Sequence, residues 1–307
     1  MNHILHLESV SKWYAARAAV DHITFSVRAG EFYGLLGPNG AGKTTTITMV
    51  SGILPPDTGT ICVAGIPVYG GSLAVRHRMG IVPQEIALYD ELSALDNLKF
   101  WGSLYGITGH AAHVRARQLL EWVGLADRMQ HAVKMYSGGM KRRVNIAASL
   151  MHDPALIIMD EPTVGIDPQS RNKIYELLED LHAQGKSILY TTHYMEEAER
   201  MCNRIGIMDK GRIIAEGTLD ALTRDHVQDE QVVIHYSGEI PALSGHYRAD
   251  VDAEAHTITF TIPHARRALP EIVHFMQSMD VEIMHIDVHH AGLETIFLHL
   301  TGRHLRD

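Results

Sequence analysis

The residues most able to do chemistry are a glycine-rich segment followed by a lysine and a threonine. A strand predicted over Glu31 to Leu36 precedes the segment, and a helical run from Thr45 to Val50 follows it. Glycines let backbone N–H groups converge on phosphate oxygens, and a helix N-terminus adds positive potential. Lys43 would neutralise the β and γ phosphates of a nucleotide, and Thr44 would offer its hydroxyl to Mg2+. The segment fits the phosphate-loop pattern Gly-x4-Gly-Lys-[Ser/Thr]: Gly37, Pro38, Asn39, Gly40, Ala41, Gly42, Lys43 and Thr44, with Thr45 beginning the helix.

Two adjacent carboxylates end a second apolar run, Ala155 to Met159, which predicts a buried strand. This order places Asp160 and Glu161 at the carboxyl edge of a sheet, beside a bound metal. We expect Asp160 to hold Mg2+ through water and Glu161 to accept a proton from the attacking water, a role worth about 10²- to 10⁴-fold in rate. Alone, such a pair is more often a helix cap or a surface feature. Together with the phosphate loop, it predicts nucleotide hydrolysis.

The segment Tyr136-Ser137-Gly138-Gly139-Met140 resembles the signature motif of the nucleotide-binding domains of ABC transporters. A hydroxyl and two glycines ahead of a helix make a second anion site of the same kind as the first. In that family two domains pair head to tail, and each ATP lies between the phosphate loop of one and the signature of the other. The resemblance implies ATP as substrate, Mg2+ as cofactor and a second ATP-binding subunit, for which the intact motifs favour a homodimer.

Four other residues match the family in its order along the chain. Gln84 resembles the glutamine-loop residue that contacts the metal or the attacking water, and Asp167 resembles the acid that crosses the dimer interface. His193 resembles the switch histidine that contacts the γ phosphate. Tyr14 would stack on adenine. The resemblance therefore implies catalytic roles for Glu161, His193, Gln84 and Lys43, metal contacts from Thr44, Gln84 and Asp160, and nucleotide contacts from the phosphate loop, Tyr14, Ser137, Gly138, Gly139 and Asp167.

Three positions depart from the residues usual in the family, but none removes a group assigned to phosphate or metal: Tyr136, Met140 and Ile166. These changes resemble the branch that serves type-2 ABC exporters, including the daunorubicin-resistance kind. The segments 88–93 and 292–303 point the same way. The general resemblance covers about residues 4 to 222.

The elements that position these motifs are those of an α/β domain, since apolar strand-length segments alternate with longer amphipathic ones. Strand signals vanish between Ser93 and Leu150, which predicts an inserted helical subdomain at about residues 88–152. The composition changes near Thr223: residues 223–307 carry 13 acidic residues, 6 arginines, no lysine and 11 of the 21 histidines. The prediction is a P-loop NTPase domain of the ABC ATPase type over 1–222 and a small α+β appendage over 223–307.

The appendage is predicted to hold three strands and two helices: Gln231 to Tyr236, His256 to Ile262 and Val281 to Val288 as strands, and Arg266 to Met279 and Leu293 to Thr301 as helices. Its histidines invite a metal interpretation. No cysteine or tight ligand pair supports that interpretation, and we expect ordinary surface histidines instead at His285, His289, His290 and His299.

Composition narrows the functional class. The 307 residues, 46% of them hydrophobic, are enough to bury a large core, and no apolar run approaches the roughly 18 to 20 residues that span a bilayer. The formal net charge of −9 argues against a protein that coats nucleic acid. Cys62 and Cys202 lack the spacing of a zinc or redox pair, and the N-terminus lacks a signal peptide, which fits a reducing cytosol.

The resemblance therefore implies the peripheral ATPase of a type-2 exporter, at the cytoplasmic face of the membrane, that works with a separate integral membrane permease. Two alternatives remain. An importer ATPase would use the same chemistry. A non-transport ABC ATPase fits less well, because the chain has no long coiled coil, zinc insert or second cassette.

Overall fold

The computed structural model describes residues 3–69, 73–226, 230–238, 248–253, 255–262, 265–279, 281–289 and 292–302. The chain divides into two compact units, Met1–Glu216 and Gly217–Asp307. The division expected after residue 222 falls inside the helix Leu219–His226 of the second unit. The change in composition thus begins later in the chain than the structural division.

The first unit contains ten strands and seven α-helices among the described residues. Its strands are β1 (His3–Tyr14), β2 (Arg17–Arg28), β3 (Phe32–Leu36), β4 (Thr58–Val63), β5 (Ile66–Pro67), β6 (Met79–Val82), β7 (Leu156–Asp160), β8 (Ser187–Thr192), β9 (Arg204–Asp209) and β10 (Arg212–Gly217). Its helices are α1 (Lys43–Val50), α2 (Leu73–Arg76), α3 (Ala94–Ser103), α4 (Gly109–Trp122), α5 (Gly138–Ser149), α6 (Pro168–Ala183) and α7 (Met195–Met201).

The central sheet brings the predicted motifs to one edge. Its strand order is β10-β9-β3-β8-β7-β6, and the pairs β6/β7, β7/β8, β8/β3 and β3/β9 are parallel. Every residue of β3, β7 and β8 is buried, as expected for strands covered on both faces. Because parallel strands end at the same edge, the segments after β3, β6, β7 and β8 lie together.

A second, antiparallel sheet has the order β2-β1-β4-β5 and was not predicted from the sequence. Its strands β1 and β2 form a long hairpin whose last pair is Tyr14 opposite Arg17. The inward residues of this hairpin share a hydrophobic core with β3 and α1, and include Leu5, Leu7, Val10, Val20 and Phe25. The hairpin thus places Tyr14 at a fixed point relative to the phosphate loop.

The predicted helical region contains α3, α4 and α5. Seven apolar side chains recur at helical spacing in this region. Leu95, Leu98, Leu119, Leu120 and Val123 are buried in one core, whereas Phe100 is half-buried and Leu104 is 60% exposed. Two serine caps begin helices here: Ser93 accepts a hydrogen bond from Asp96 N (3.0 Å), and Ser137 accepts one from Met140 N (3.3 Å). Such caps satisfy N–H groups that have no partner inside the helix.

The second unit is an antiparallel sheet with helices. Its elements are α8 (Leu219–His226), β11 (Glu230–Ser237), β12 (Arg248–Asp252), β13 (Thr257–Ile262), α9 (Ala265–Ser278), β14 (Glu282–His289) and α10 (Leu293–Thr301), and the sheet order is β12-β13-β11-β14. The core joins Val232, Ile234 and Phe260 of the sheet to Ile272 and Met276 of α9. The sequence did not predict β12 or α8. Within the described part of the chain no cluster of three metal-ligating side chains occurs, and His290 lies outside it.

Candidate nucleotide site

The glycines of the phosphate loop are required by close backbone approaches. Gly42 has a φ of 109°, a backbone conformation that residues with a side chain rarely adopt. A Cβ at this position would also lie 2.4 Å from the carbonyl oxygen of Ala19. A Cβ on Gly37 would lie 2.3 Å from the carbonyl oxygen of Met208. The loop is therefore packed directly on β2 and β9, and only glycine fits at these two positions.

Lys43 occupies the centre of the loop although it is only 4% exposed. Its Nζ donates to the carbonyl oxygens of Gly37 (2.6 Å) and Pro38 (3.1 Å), and lies 3.1 Å from Oε1 of Glu161. A buried ammonium without such partners would carry a large desolvation cost. These oxygens hold the ammonium group against the phosphate loop, beside the Glu161 carboxylate.

Asp160 is the last residue of β7 and is 4% exposed. The hydroxyl of Thr191 donates to its Oδ1 at 2.6 Å, and Thr44 also donates to the carboxylate. Burial raises the pKa of Asp160 above its ordinary value, while these two hydrogen bonds oppose the rise. Carboxylate and hydroxyl oxygens are hard donors of the kind that Mg2+ prefers, so the pair Asp160 and Thr44 fits that ion.

Glu161 follows directly and adopts a strained backbone with a φ of 43°. Its N–H donates to the backbone oxygen (3.2 Å) and to the hydroxyl (3.0 Å) of Thr191. Non-glycine residues in this region cost of order 1–3 kcal/mol and cluster at functional sites. The neighbouring β8 strand thus supplies the bonds that keep the Glu161 backbone in this conformation.

His193 lies beside the Glu161 carboxylate. Its Nδ1 is 3.2 Å from Oε2 of Glu161, but the angle does not make a hydrogen bond, and this buried nitrogen has no other hydrogen-bond partner among the described residues. The imidazole is 25% exposed as a side chain. The two side chains are therefore adjacent, and the histidine keeps hydrogen-bonding capacity for a further group.

A cleft of about 400 Å3 opens over these residues. Tyr14 lines the cleft and is 53% exposed. Arg17 and Ala19 also line the cleft, and the sequence analysis missed both because Ala15 and Ala16 carry no turn signal to reveal the hairpin. The predicted residues on its wall are Tyr14, Pro38, Asn39, Gly40, Gly42, Lys43, Thr44, Thr45, Gln84 and Glu161.

Gln84 is held against α5 by a buried arginine that the sequence analysis did not single out. Arg142 is 3% exposed and donates to the backbone oxygens of Pro83 (2.6 Å) and Gln84. Burial lowers the pKa of Arg142 from its usual value. The guanidinium connects the glutamine loop to the helix that begins at the signature segment.

The signature segment lies away from the cleft wall, next to Asp167. Ser137 and Gly138 are exposed, whereas Gly139 is buried, and a Cβ on Gly139 would lie 2.2 Å from Oγ of Ser170. Asp167 caps α6 by accepting a hydrogen bond from Ser170 N at 2.9 Å, and this bond lowers the pKa of the carboxyl. One chain thus carries an assembled cleft and a separate, outward-facing turn.

The departure at Tyr136 has a structural reason. The ring is 7% exposed, and its hydroxyl donates to the backbone oxygen of Arg128 at 2.6 Å. A buried tyrosine needs such a partner for its hydroxyl. The residue therefore packs beneath the signature turn and leaves Ser137 unaffected.

Known proteins are similar to this chain along nearly its whole length. A family model described as "ABC transporter" matches residues 20–164. The linearmycin resistance ATP-binding protein LnrL of Bacillus subtilis (strain 168) is 44% identical over 311 residues, which cover 99% of this chain and 100% of that protein. The chain belongs to the ABC transporter ATP-binding family. It is the ATP-binding subunit of an ABC transporter, and an ATPase.

Other relatives and solved structures agree with this family. The Nod factor export ATP-binding protein I of Burkholderia lata is 38% identical (99% of this chain, 98% of that protein), and the daunorubicin resistance ATP-binding protein DrrA3 of Streptomyces coeruleorubidus is 37% identical (96% and 95%). An ATP-binding subunit of an ABC transporter superposes with a TM-score of 0.66 at 33% identity, covering 72% of this chain and 92% of that one. A cassette solved as a dimer with ADP and Pi gives 0.64 at 26% identity, covering 70% and 98%.

ABC ATPase domains work with membrane permeases and dimerise. In the part of this chain that the structure describes, the helices are all too short or too polar to cross a membrane.

Proposed function

We propose that this chain is the ATPase of an exporter, and that two copies close around two Mg-ATP molecules to drive a separate permease. One observation carries the proposal: Lys43 Nζ lies 3.1 Å from Oε1 of Glu161, at the wall of the same cleft that Tyr14 borders. A base-stacking group, a phosphate-binding group and a proton acceptor thus share one cleft. Such a convergence is what hydrolysis of a bound nucleotide requires.

Each residue of the cleft has one task in this proposal. The ring of Tyr14 stacks on adenine, and the N–H groups from Gly40 to Thr44 bind the phosphates with Lys43. Mg2+, when bound by Thr44, Asp160 and Gln84, neutralises charge on the phosphate oxygens. Glu161 takes the proton of the attacking water, which Gln84 also contacts.

His193 contacts the γ phosphate. Its unpartnered Nδ1 and its position 3.2 Å from the Glu161 carboxylate support this role. A hydrogen-bond donor at that point would stabilise charge that develops on the transferred group.

The outward-facing turn completes the site of a second copy. Ser137, Gly138 and the N-terminus of α5 form an anion site, and they lie apart from the cleft of their own chain. In a head-to-tail pair they bind the phosphates held by the partner, and Asp167 crosses the interface. ATP then contacts both chains, and its higher affinity for the closed pair supplies the work of closure.

The names of the relatives support export as the direction of transport. Two of them are named for resistance, to linearmycin and to daunorubicin, and one is named for Nod factor export. We infer that this chain also serves export, at the cytoplasmic face of the membrane, as a peripheral subunit. The membrane subunit, and not this chain, chooses the transported substance.

The test uses Glu161→Gln, which removes the proton acceptor and keeps the side-chain size. We expect ATP hydrolysis to fall by about 10²- to 10⁴-fold while ATP binding persists. The matched control is Glu176→Gln, which changes an exposed carboxylate on α6. We expect this control to keep the wild-type rate. General-base catalysis contributes more than about tenfold in rate. If Glu161→Gln hydrolyses ATP within about tenfold of the wild-type rate, the data falsify the base assignment.

The partner is tested with the same variant. Glu161→Gln is trapped with Mg-ATP in its native membranes, gently purified, and analysed by mass spectrometry for copurifying proteins. We expect a polytopic membrane protein to copurify. Reconstituted with the wild-type chain, this protein should give ATP-dependent accumulation of the substrate in inside-out vesicles. Efflux from those vesicles would indicate an importer, and recovery of soluble protein or nucleic acid alone would indicate a non-transport ATPase.

A further inference from the structure

Glu197 is a buried carboxylate outside the cleft wall. It lies on α7 and is 2% exposed. Among the described residues, four hydroxyl groups donate to it: Thr163 (2.6 Å) and Tyr175 (2.8 Å) to Oε1, and Tyr190 (2.8 Å) and Thr192 (2.7 Å) to Oε2. Neither carboxylate oxygen is left without donors, so burial of the charge is compensated.

The donors come from the two segments that carry the residues assigned to hydrolysis. Thr163 lies two residues after Glu161, and Thr192 immediately precedes His193. Thr192 Oγ1 also accepts a hydrogen bond from the N–H of Tyr194 at 2.9 Å, so both sides of His193 are connected to the same carboxylate. One anion therefore joins the ends of β7 and β8 on their downstream side.

The two segments are also joined at Glu161, whose N–H donates to Thr191 of β8, but not between the two catalytic side chains themselves. Glu161 and His193 are in contact at 3.2 Å without a hydrogen bond. Their separation must be set by the backbone segments that hold them, because the side chains do not bond each other. An error of about 1 Å in such an arrangement can cost 10²-fold in rate.

We propose that Glu197 is a positioning residue: through Thr163 and Thr192 it fixes Glu161 and His193 in the arrangement that hydrolyses ATP. The proposal rests on the roles assigned to Glu161 and His193 above. Glu197 touches neither nucleotide nor water in this proposal, and acts only through the two loops.

Three single-hydroxyl deletions separate positioning from stability. Thr163→Val and Thr192→Val each remove one donor from a loop that carries a catalytic residue, with almost no change of volume. Tyr175→Phe removes a donor to the same carboxylate from α6, which carries none. Each variant removes one hydrogen bond to Glu197, and Thr192→Val also removes the bond from the N–H of Tyr194. We therefore expect the unfolding temperature to fall by about 2–4 °C in Thr163→Val and Tyr175→Phe, and by more in Thr192→Val.

The kinetic readout differs between them. We expect Thr163→Val and Thr192→Val to lower kcat for ATP hydrolysis by about tenfold with an unchanged Kd for ATP, and Tyr175→Phe to stay within about twofold of wild type. Equal kcat in all three variants, or loss of ATP binding in step with kcat, would reduce Glu197 to a purely structural residue.

A double variant separates this proposal from the one on which it rests. If Glu197 acts through Glu161, then Thr163→Val in a Glu161→Gln background lowers the residual rate no further, because the group being positioned is already gone. If Thr163→Val lowered the rate of the Glu161→Gln protein by a further factor of about ten, as it is expected to do in the wild-type protein, the result would contradict the positioning role. Should Glu161→Gln itself hydrolyse normally, the base assignment fails first, whatever the threonine variants do.

Discussion

The phosphate-loop cleft and the signature turn use the same physical device and differ in completeness. Each is a glycine-containing segment at the start of a helix, α1 or α5. In the cleft, Lys43, Asp160 and Glu161 are buried and each has a partner from its own chain. At the turn, Ser137 is exposed and its hydroxyl bonds only the N–H of Met140 among described residues.

This difference indicates where each half-site obtains its order. Buried charges must be compensated before a ligand arrives, so the cleft is organised within one chain. An exposed helix N-terminus costs little to leave open, because water can satisfy its donors. We therefore expect changes in the cleft to affect a single chain, and changes at the turn to affect the closed pair.

Lys43→Met gives the largest expected effect on the cleft. It removes the charge directed at the β and γ phosphates, and hydrolysis should fall by about 10²-fold or more, together with ATP binding. The measurement is ATPase activity with fluorescent-nucleotide titration. Lys99→Met, at an exposed position of α3, is the control. Normal ATP affinity in Lys43→Met would mean that the cleft does not depend on this charge.

Ser137→Ala should separate the two regions. ATP binding to the single chain is expected to stay within about twofold, while hydrolysis falls by about 10- to 100-fold because a donor to the partner's phosphates is lost. Ser93→Ala is a matched control, since Ser93 caps α3 in the same way. Each variant should lose about 1 kcal/mol of unfolding free energy with its cap. Equal activities in the two variants would remove the functional distinction of the turn.

Gly139→Ala tests the packing beneath the turn. The new Cβ would meet Oγ of Ser170 at 2.2 Å, so we expect a loss of about 1–3 kcal/mol in urea-induced unfolding. Adding Ser170→Gly should recover most of that loss. If Gly139→Ala alone proved neutral, the contact between α5 and α6 would be looser than described.

The carboxylates of the two regions should respond to pH with opposite signs, and this is the smallest expected effect. Burial raises the pKa of Asp160, so its contribution to stability is present below the unfolded value of 3.8 and is lost as the pH rises through the folded pKa. The hydrogen bond from Ser170 lowers the pKa of Asp167. Its contribution is present above 3.8 and is lost as the pH falls through the folded pKa.

Thermal unfolding of the nucleotide-free protein, followed from about pH 3 to pH 7, checks both signs. The unfolding temperature of Asp160→Asn should rise relative to wild type as the pH approaches neutral. The unfolding temperature of Asp167→Asn should fall less than that of wild type as the pH becomes acidic. Parallel curves for the two variants would show that the regions do not differ electrostatically.

Much of the site could be predicted because its residues follow strand ends. The strands predicted before the phosphate loop and before Asp160 appear at β3 and β7, each within one residue. The β1/β2 hairpin escaped prediction because register shifts interrupt its alternation and no glycine or proline marks its turn. Arg17 was missed for that reason.

Buried charged residues were the other failure. Nothing in the local sequence distinguishes Arg142 or Glu197 from the surface charges around them. Arg142 finds its acceptors 58 and 59 positions earlier, and Glu197 reaches Thr163, 34 positions earlier. Such partners become neighbours only when the whole sheet has formed, and local patterns carry no information about them.

The bond from Arg142 to the glutamine loop has a consequence for the paired enzyme. In the proposed dimer, Gln84 contacts the metal and water of one ATP site, and the N-terminus of α5 contacts the phosphates of the other. One guanidinium connects the backbones at both places. We therefore expect a displacement at either nucleotide to strain the hydrogen bonds that lead to the other, so that the two ATPase sites influence each other's hydrolysis.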